Sequence, residues 1–267
     1  MREGLLTVLL AFTFSLAVAC DGMAVLPRPV STLADSGDYS TTTDSISSSC
    51  TVYRPSSLGE DHPIVVWGNG TGSTPLAYAS FLRHIAGHGF VVAAANTTNA
   101  GSGEDMINCL DEVLEEYADN VNPDRIGTSG HSQGGSGAIM ARADPHVVTS
   151  APMQPAWLGL GLDAHTQDKQ NGPMFLMSGS KDTVVDPEWH QGRIFSNAAV
   201  PVFWGTLQGA THFEPANNAG GFRGPATAWF LYQLMGDEEA AKLFVGDDCV
   251  LCTRSDWRVQ KNDKDFF

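Results

Sequence analysis

Gly130-His131-Ser132-Gln133-Gly134-Gly135 limits what this chain can fold into more than any other stretch. It reads G-x-S-x-G, a pattern that lifts a serine hydroxyl clear of the backbone on a tight strand-to-helix turn. Glycines flank the serine because side chains there would clash as strand and helix close on each other. The surroundings fit. Asp124 to Ser129 reads as a short strand, and Gly135 to Ala143 as a helix of small residues suited to close packing on a sheet.

The remaining chain repeats that alternation. Tyr39–Thr43 and Cys50–Arg54 read as two early strands. Pro63–Trp67, Phe90–Ala95, Val147–Ala151 and Met174–Ser178 read as further, mostly buried strands, with Pro201–Thr206 as the last. Helices are expected from Ser73 or Thr74 to Gly87 or Gly89, after a capping box at Ser102-Gly103-Glu104-Asp105, and over Glu188–Ala198, Phe222–Met235 and Glu238–Phe244. With 267 residues, 42% of them hydrophobic, one sizeable core is within reach. Buried strands alternating with helices predict an α/β fold, a mostly parallel sheet covered on both faces.

The amino terminus stands apart. Arg2, the apolar run Leu5–Val18 and the small residues Ala17-Val18-Ala19 predict an export signal over 1–19. Leu16-Ala17-Val18-Ala19-Cys20 resembles a lipobox, so Cys20 is a candidate lipid anchor, and plain cleavage at the same bond is the alternative. Residues 20–36 read as a linker and 37–267 as the catalytic domain. The chain is expected to be secreted, periplasmic or held at the cell envelope, and to be a monomer. Net charge is −15, with 30 acidic against 15 basic residues. That balance argues against nucleic acid and anionic membrane surfaces as partners. Cys50, Cys109, Cys249 and Cys252 remain after Cys20, an even number in an oxidising compartment. Cys249-Val250-Leu251-Cys252 lacks the second ligand pair that zinc would want. No metal or cofactor is expected.

A serine nucleophile needs a base, and the base needs an orienting carboxylate. His146, His165, His190 and His212 follow Ser132, and only His212 follows the expected last strand. Its loop, Gly209-Ala210-Thr211-His212-Phe213, carries small residues before the imidazole. His131 is expected to point to the wrong side of the turn, and His190 to lie on a helix surface. Asp182 and Asp186 both sit in the loop where the carboxylate belongs. Asp182 is nearer the strand end, and helix capping accounts for Asp186. An acyl-transfer intermediate needs two backbone donors. The N–H of Gln133 is one; Thr71, with Gly70 close behind, is the expected other.

On these residues the chain resembles the α/β-hydrolase fold and, within it, the bacterial cutinase and polyethylene terephthalate hydrolase group. Gly70-Thr71 stands where that group has Gly-Tyr. Gly130–Gly135 resembles its Gly-His-Ser-Met-Gly-Gly, Asp182-Thr183-Val184 its Asp-Thr-Val, and Thr211-His212-Phe213 its Ser-His-Phe. His88-Gly89-Phe90-Val91-Val92 matches its strand entry. The resemblance implies a serine ester hydrolase without a lid domain, working through Ser132, Asp182 and His212 on ester substrates that include polymers. Gly70, Met153, Gln154 and Trp157 would contact substrate. Roughly twenty residues join the sixth and seventh core strands, too few for a cap domain. The fold also implies Cys50–Cys109, because its second strand runs antiparallel and starts where the helix after the fourth strand begins. Cys249–Cys252 would close a small loop. Lipases, dienelactone hydrolases, amidases and an inactive binding module of the same fold are the alternatives.

Overall fold

The computed structural model describes residues 1, 33–157, 170–262 and 264. In chain order the strands are β1 (Thr41–Ser45), β2 (Cys50–Pro55), β3 (His62–Gly68), β4 (Val91–Ala95), β5 (Val121–His131), β6 (Val147–Met153), β7 (Met174–Gly179), β8 (Val202–Leu207) and β9 (Trp257–Lys261). The helices are α1 (Ala79–Gly87), α2 (Glu104–Glu116), α3 (Gln133–Ala141), α4 (Gln191–Asn197), α5 (Arg223–Met235), α6 (Glu238–Ala241) and α7 (Val250–Thr253).

One sheet takes the order β1-β2-β4-β3-β5-β6-β7-β8-β9. Strands β3 to β8 run parallel; β1, β2 and β9 are antiparallel to their neighbours. Parallel strands buried on both faces need unbroken apolar runs, and β3, β4, β7 and β8 are buried along their whole lengths. On one face Phe81, Leu82 and Ile85 of α1 and Trp229 and Phe230 of α5 pack with Trp67, Phe175 and Phe203. On the other, α2 turns Met106, Cys109, Leu110 and Val113 inward at helical spacing. There Ala138 and Ala141 of α3 pack beside them, while Ile139 and Ile194 cover β7 and β8.

Helix α3 lies close to the sheet because glycine allows it. A Cβ on Gly134 would sit 2.1 Å from the Gly68 carbonyl oxygen, and one on Gly137 2.0 Å from that of Ala100. The parallel order, the two helical layers and the strand–turn–helix at Ser132 make this an α/β-hydrolase fold.

Several expectations are corrected. Pro201–Thr206 is not the last strand: β9 returns antiparallel along β8, from Leu207↔Trp257 to Phe203↔Lys261. No capping box starts α2. Its N-cap is Gly103 at φ 77°, and Ser102 Oγ accepts from the Glu104 N–H instead. Helix α6 ends at Ala241, and α4 covers only Gln191–Asn197. Leu33, expected in a linker, is buried in the core, and its carbonyl accepts from His84. The cysteines pair Cys50 with Cys109 and Cys249 with Cys252. The first pair follows the stated geometry: β2 runs antiparallel to β4 with Cys50 opposite Ala95, at the β4 end that leads to α2. The export signal, Cys20, His165 and positions 158–169 of the crossover, on which the absence of a lid depends, lie outside the described residues.

Candidate active site

Ser132 stands between β5 and α3 with φ 55° and ψ −116°. A non-glycine residue pays for that conformation, and such strain gathers where a side chain must be aimed. The Ser132 N–H donates to the Met153 carbonyl at 3.0 Å, which ties the turn to β6. Gly130 and Gly134 make the turn possible: a Cβ on Gly130 would lie 2.3 Å from the Gly134 oxygen.

His212 lies on the loop after β8, and Asp182 on the loop after β7. Ser132 Oγ donates to His212 Nε2 at 3.0 Å, and His212 Nδ1–H donates to Asp182 Oδ2 at 2.8 Å. Residues 50 and 80 positions apart in the chain therefore meet in one line. All three are buried or nearly so; Ser132 keeps 9% of its surface. Asp182 is held by its other oxygen, which accepts from the N–H groups of Val184 (2.9 Å) and Val185 (2.8 Å). Asp186 does different work: its side chain accepts from the Trp189 N–H, in the turn that leads to α4. The arrangement can raise the nucleophilicity of a hydroxyl, with the carboxylate fixing the imidazole tautomer.

The loop after β3 approaches Ser132 from the other side. Gly70 is not a free donor, because its N–H is taken by the Tyr78 hydroxyl at 3.1 Å. Among the described residues the N–H groups of Thr71 and Gln133 have no acceptor. Buried Asn69 stiffens this loop, donating from Nδ2 to the Ala95 and Thr97 carbonyls and accepting from Trp67 Nε1. The Gln133 side chain donates to Asn99 Oδ1.

The expected apolar wall is not where the sequence put it. Met153 and Gln154 are both fully buried. Met153 packs in the core with Trp67 and Phe175. Gln154, at φ 50°, donates from Nε2 to the Thr211 carbonyl and so braces the base loop. Trp157 packs with Ile139 and Met174 in the core, and its backbone N–H donates to His190 Nδ1. Half-buried His190 thus also anchors the chain after β6. Apolar exposure sits instead on Leu76, Val184 and Phe213, at 79%, 61% and 69%. Val184 and Phe213 lie on the loops that carry Asp182 and His212, and Leu76 on the short 3-10 turn Pro75–Tyr78 that follows the Thr71 loop.

His131 also departs from expectation. It is buried beside the His212 ring, with centroids 4.8 Å apart, and Nε2–H donates to the His212 carbonyl at 2.8 Å. Burial first, then the neighbouring His212, pushes its imidazole down to about 4. Neutral His131 therefore accepts at Nδ1 from the Tyr78 hydroxyl at 2.9 Å. Sequence reasoning missed Tyr78 and Asn69. The only trace of either was position, shortly after an apolar strand.

The chlorophyllase family model matches residues 32–151. That span runs from before β1 into β6 and includes Thr71 and Ser132, but ends before Asp182 and His212. No curated protein matches the chain. Fold and family match together support an ester hydrolase of the α/β-hydrolase type.

Proposed function

We propose that the chain is an exported serine carboxylic-ester hydrolase of the cutinase-like kind, working through an acyl-enzyme on Ser132. The observation that carries the reading is the hydrogen-bonded line Ser132–His212–Asp182. Ser132 Oγ attacks the ester carbonyl carbon as His212 Nε2 takes its proton. The carbonyl oxygen becomes an oxyanion, received by the N–H groups of Gln133 and Thr71. Collapse breaks the bond to the alkoxy oxygen, which leaves with the proton from His212. Water then attacks the acyl-serine, giving up a proton to His212, and the acid departs as Ser132 regains its hydrogen. Asp182 keeps the His212 ring oriented and stabilises the imidazolium. Exposed Leu76, Val184 and Phe213 offer an apolar rim for the acyl or alkyl part of the ester. Export is supported by the two cysteine pairs and the apolar amino terminus.

The test is labelling by a fluorophosphonate followed by a panel of p-nitrophenyl esters of rising chain length. Stoichiometric labelling with turnover of the shorter esters is expected. A chain that resists the label and cleaves none of the esters would be a binding module instead. Chlorophyll belongs in the panel because of the family match, and an amide analogue separates esterase from amidase.

A further inference from the structure

We infer that Tyr78 and His131 form a positioning pair that holds the oxyanion loop and the base loop in register around Ser132. The inference rests on the proposed esterase reading and names residues that assist the same site. Three hydrogen bonds run in series. The Gly70 N–H donates to the Tyr78 hydroxyl (3.1 Å), the Tyr78 hydroxyl donates to His131 Nδ1 (2.9 Å), and His131 Nε2–H donates to the His212 carbonyl (2.8 Å). The directions are forced. A carbonyl can only accept, so Nε2 carries the hydrogen; in a neutral ring Nδ1 is then bare, and the tyrosine proton must point to it. The hydroxyl is left to accept from Gly70.

The series joins three pieces of chain that the reaction needs in fixed relation. Gly70 immediately precedes Thr71. His131 immediately precedes Ser132. The His212 carbonyl belongs to the base itself. The three pieces are the loop after β3, the end of β5 and the loop after β8, and no other pair of side chains among the described residues bridges them in this way. Space is matched as well: a Cβ on Gly70 would lie 3.0 Å from the Tyr78 hydroxyl and 3.1 Å from His131 Nδ1, so a larger residue there would push the series apart. The Tyr78 ring is itself fixed by Trp67, at 5.0 Å between centroids. Donors aimed at a developing oxyanion act only if held in place beforehand, and small misplacements are expensive.

Tyr78→Phe keeps the ring packing and removes only the hydroxyl. With p-nitrophenyl butyrate, kcat per fluorophosphonate-titrated site should fall roughly 10- to 100-fold while KM stays within about twofold. Affinity for a trifluoromethyl ketone, which forms a tetrahedral adduct, should fall in parallel; affinity for the corresponding methyl ketone should not. His131→Asn, which cannot reach the His212 carbonyl, should resemble Tyr78→Phe. His131→Gln, whose amide can still donate to that carbonyl, should recover part of the loss. The double variant Tyr78→Phe/His131→Asn should be little worse than the poorer single one, as expected for links in series. A merely structural role would lower the titratable fraction and leave kcat per site unchanged, which would overturn the inference. Unchanged kcat in both Tyr78→Phe and His131→Asn would overturn it alone, with the esterase reading intact. A wild-type chain that neither labels nor turns over would overturn both.

Discussion

Asp182 and Asp186 are four positions apart on one loop, and their hydrogen bonds divide the work between them. Asp182 faces His212, while Asp186 caps a turn. Asp182→Asn should therefore lower kcat by roughly 10⁴-fold, as loss of the tautomer-setting carboxylate does in other triads. Asp186→Asn should keep most of the activity. Steady-state kinetics on one soluble ester decides between them, and the reverse ranking would reassign the acid. His131 makes a second prediction, on stability. Its imidazole lies at about 4 in the fold, against about 6.5 in an unfolded chain. Between those values the unfolded state binds more protons, so stability is full above about pH 6.5 and is lost as pH falls towards about 4. The total is roughly 3 kcal/mol. Urea midpoints from pH 7.5 to about 4 should fall less for His131→Gln than for wild type.

At the scale of elements, the Cys50–Cys109 cross-link ties β2, in the antiparallel β1–β2 edge of the sheet, to α2. It closes 59 residues of chain, enough for about 4 kcal/mol in the chain-entropy model. The Cys249–Cys252 pair spans 3 positions and closes a far smaller loop. Cys50→Ala/Cys109→Ala should consequently lower the urea midpoint more than Cys249→Ala/Cys252→Ala; equal losses would contradict the loop-length argument. Strands β3, β4, β7 and β8 were legible in the sequence because each carries a short run of mostly apolar residues bounded by glycine, proline or a polar loop, whereas β5 and β6 mix Thr, Ser or Gly into their runs. Strand β9 was not. Trp257-Arg258-Val259-Gln260-Lys261 alternates, but it is short, charged and at the sheet edge, where one face meets solvent. Ser132, His212 and Asp182 could be singled out in the sequence because the proposed chemistry restricts residue type and chain order, and the fold brings the three into one hydrogen-bonded line. The Tyr78–His131–His212 series was not, since nothing in residue type or spacing announces a hydrogen bond across 53 positions. Gln154 failed for a related reason. Its left-handed backbone turns the side chain inward to Thr211, and no local pattern signals that.

For the molecule as a whole, one sheet with its turns gathered at the carboxyl ends of the parallel strands brings β3, β5, β7 and β8 to a single site. The net charge of −15 disfavours anionic substrates, so under the proposed function neutral esters are the expected class. If exposed Leu76, Val184 and Phe213 form the proposed apolar rim, hydrolysis of tributyrin should rise smoothly with concentration and show no jump at the solubility limit. A polycaprolactone film should be attacked slowly, with an aromatic polyester slower still, because Thr71 stands where the resembled group has an aromatic residue. A sharp rise at the emulsion point would indicate a covered site. The central claim, an acyl-enzyme on Ser132, is tested most directly by mixing the protein with p-nitrophenyl butyrate, quenching in acid and weighing the intact chain. The account predicts one butyryl group per chain, located on the peptide that contains Ser132 and absent from Ser132→Ala, with kcat in that variant reduced on the order of 10⁶-fold. Turnover without an adduct, or an adduct on any other residue, would contradict it.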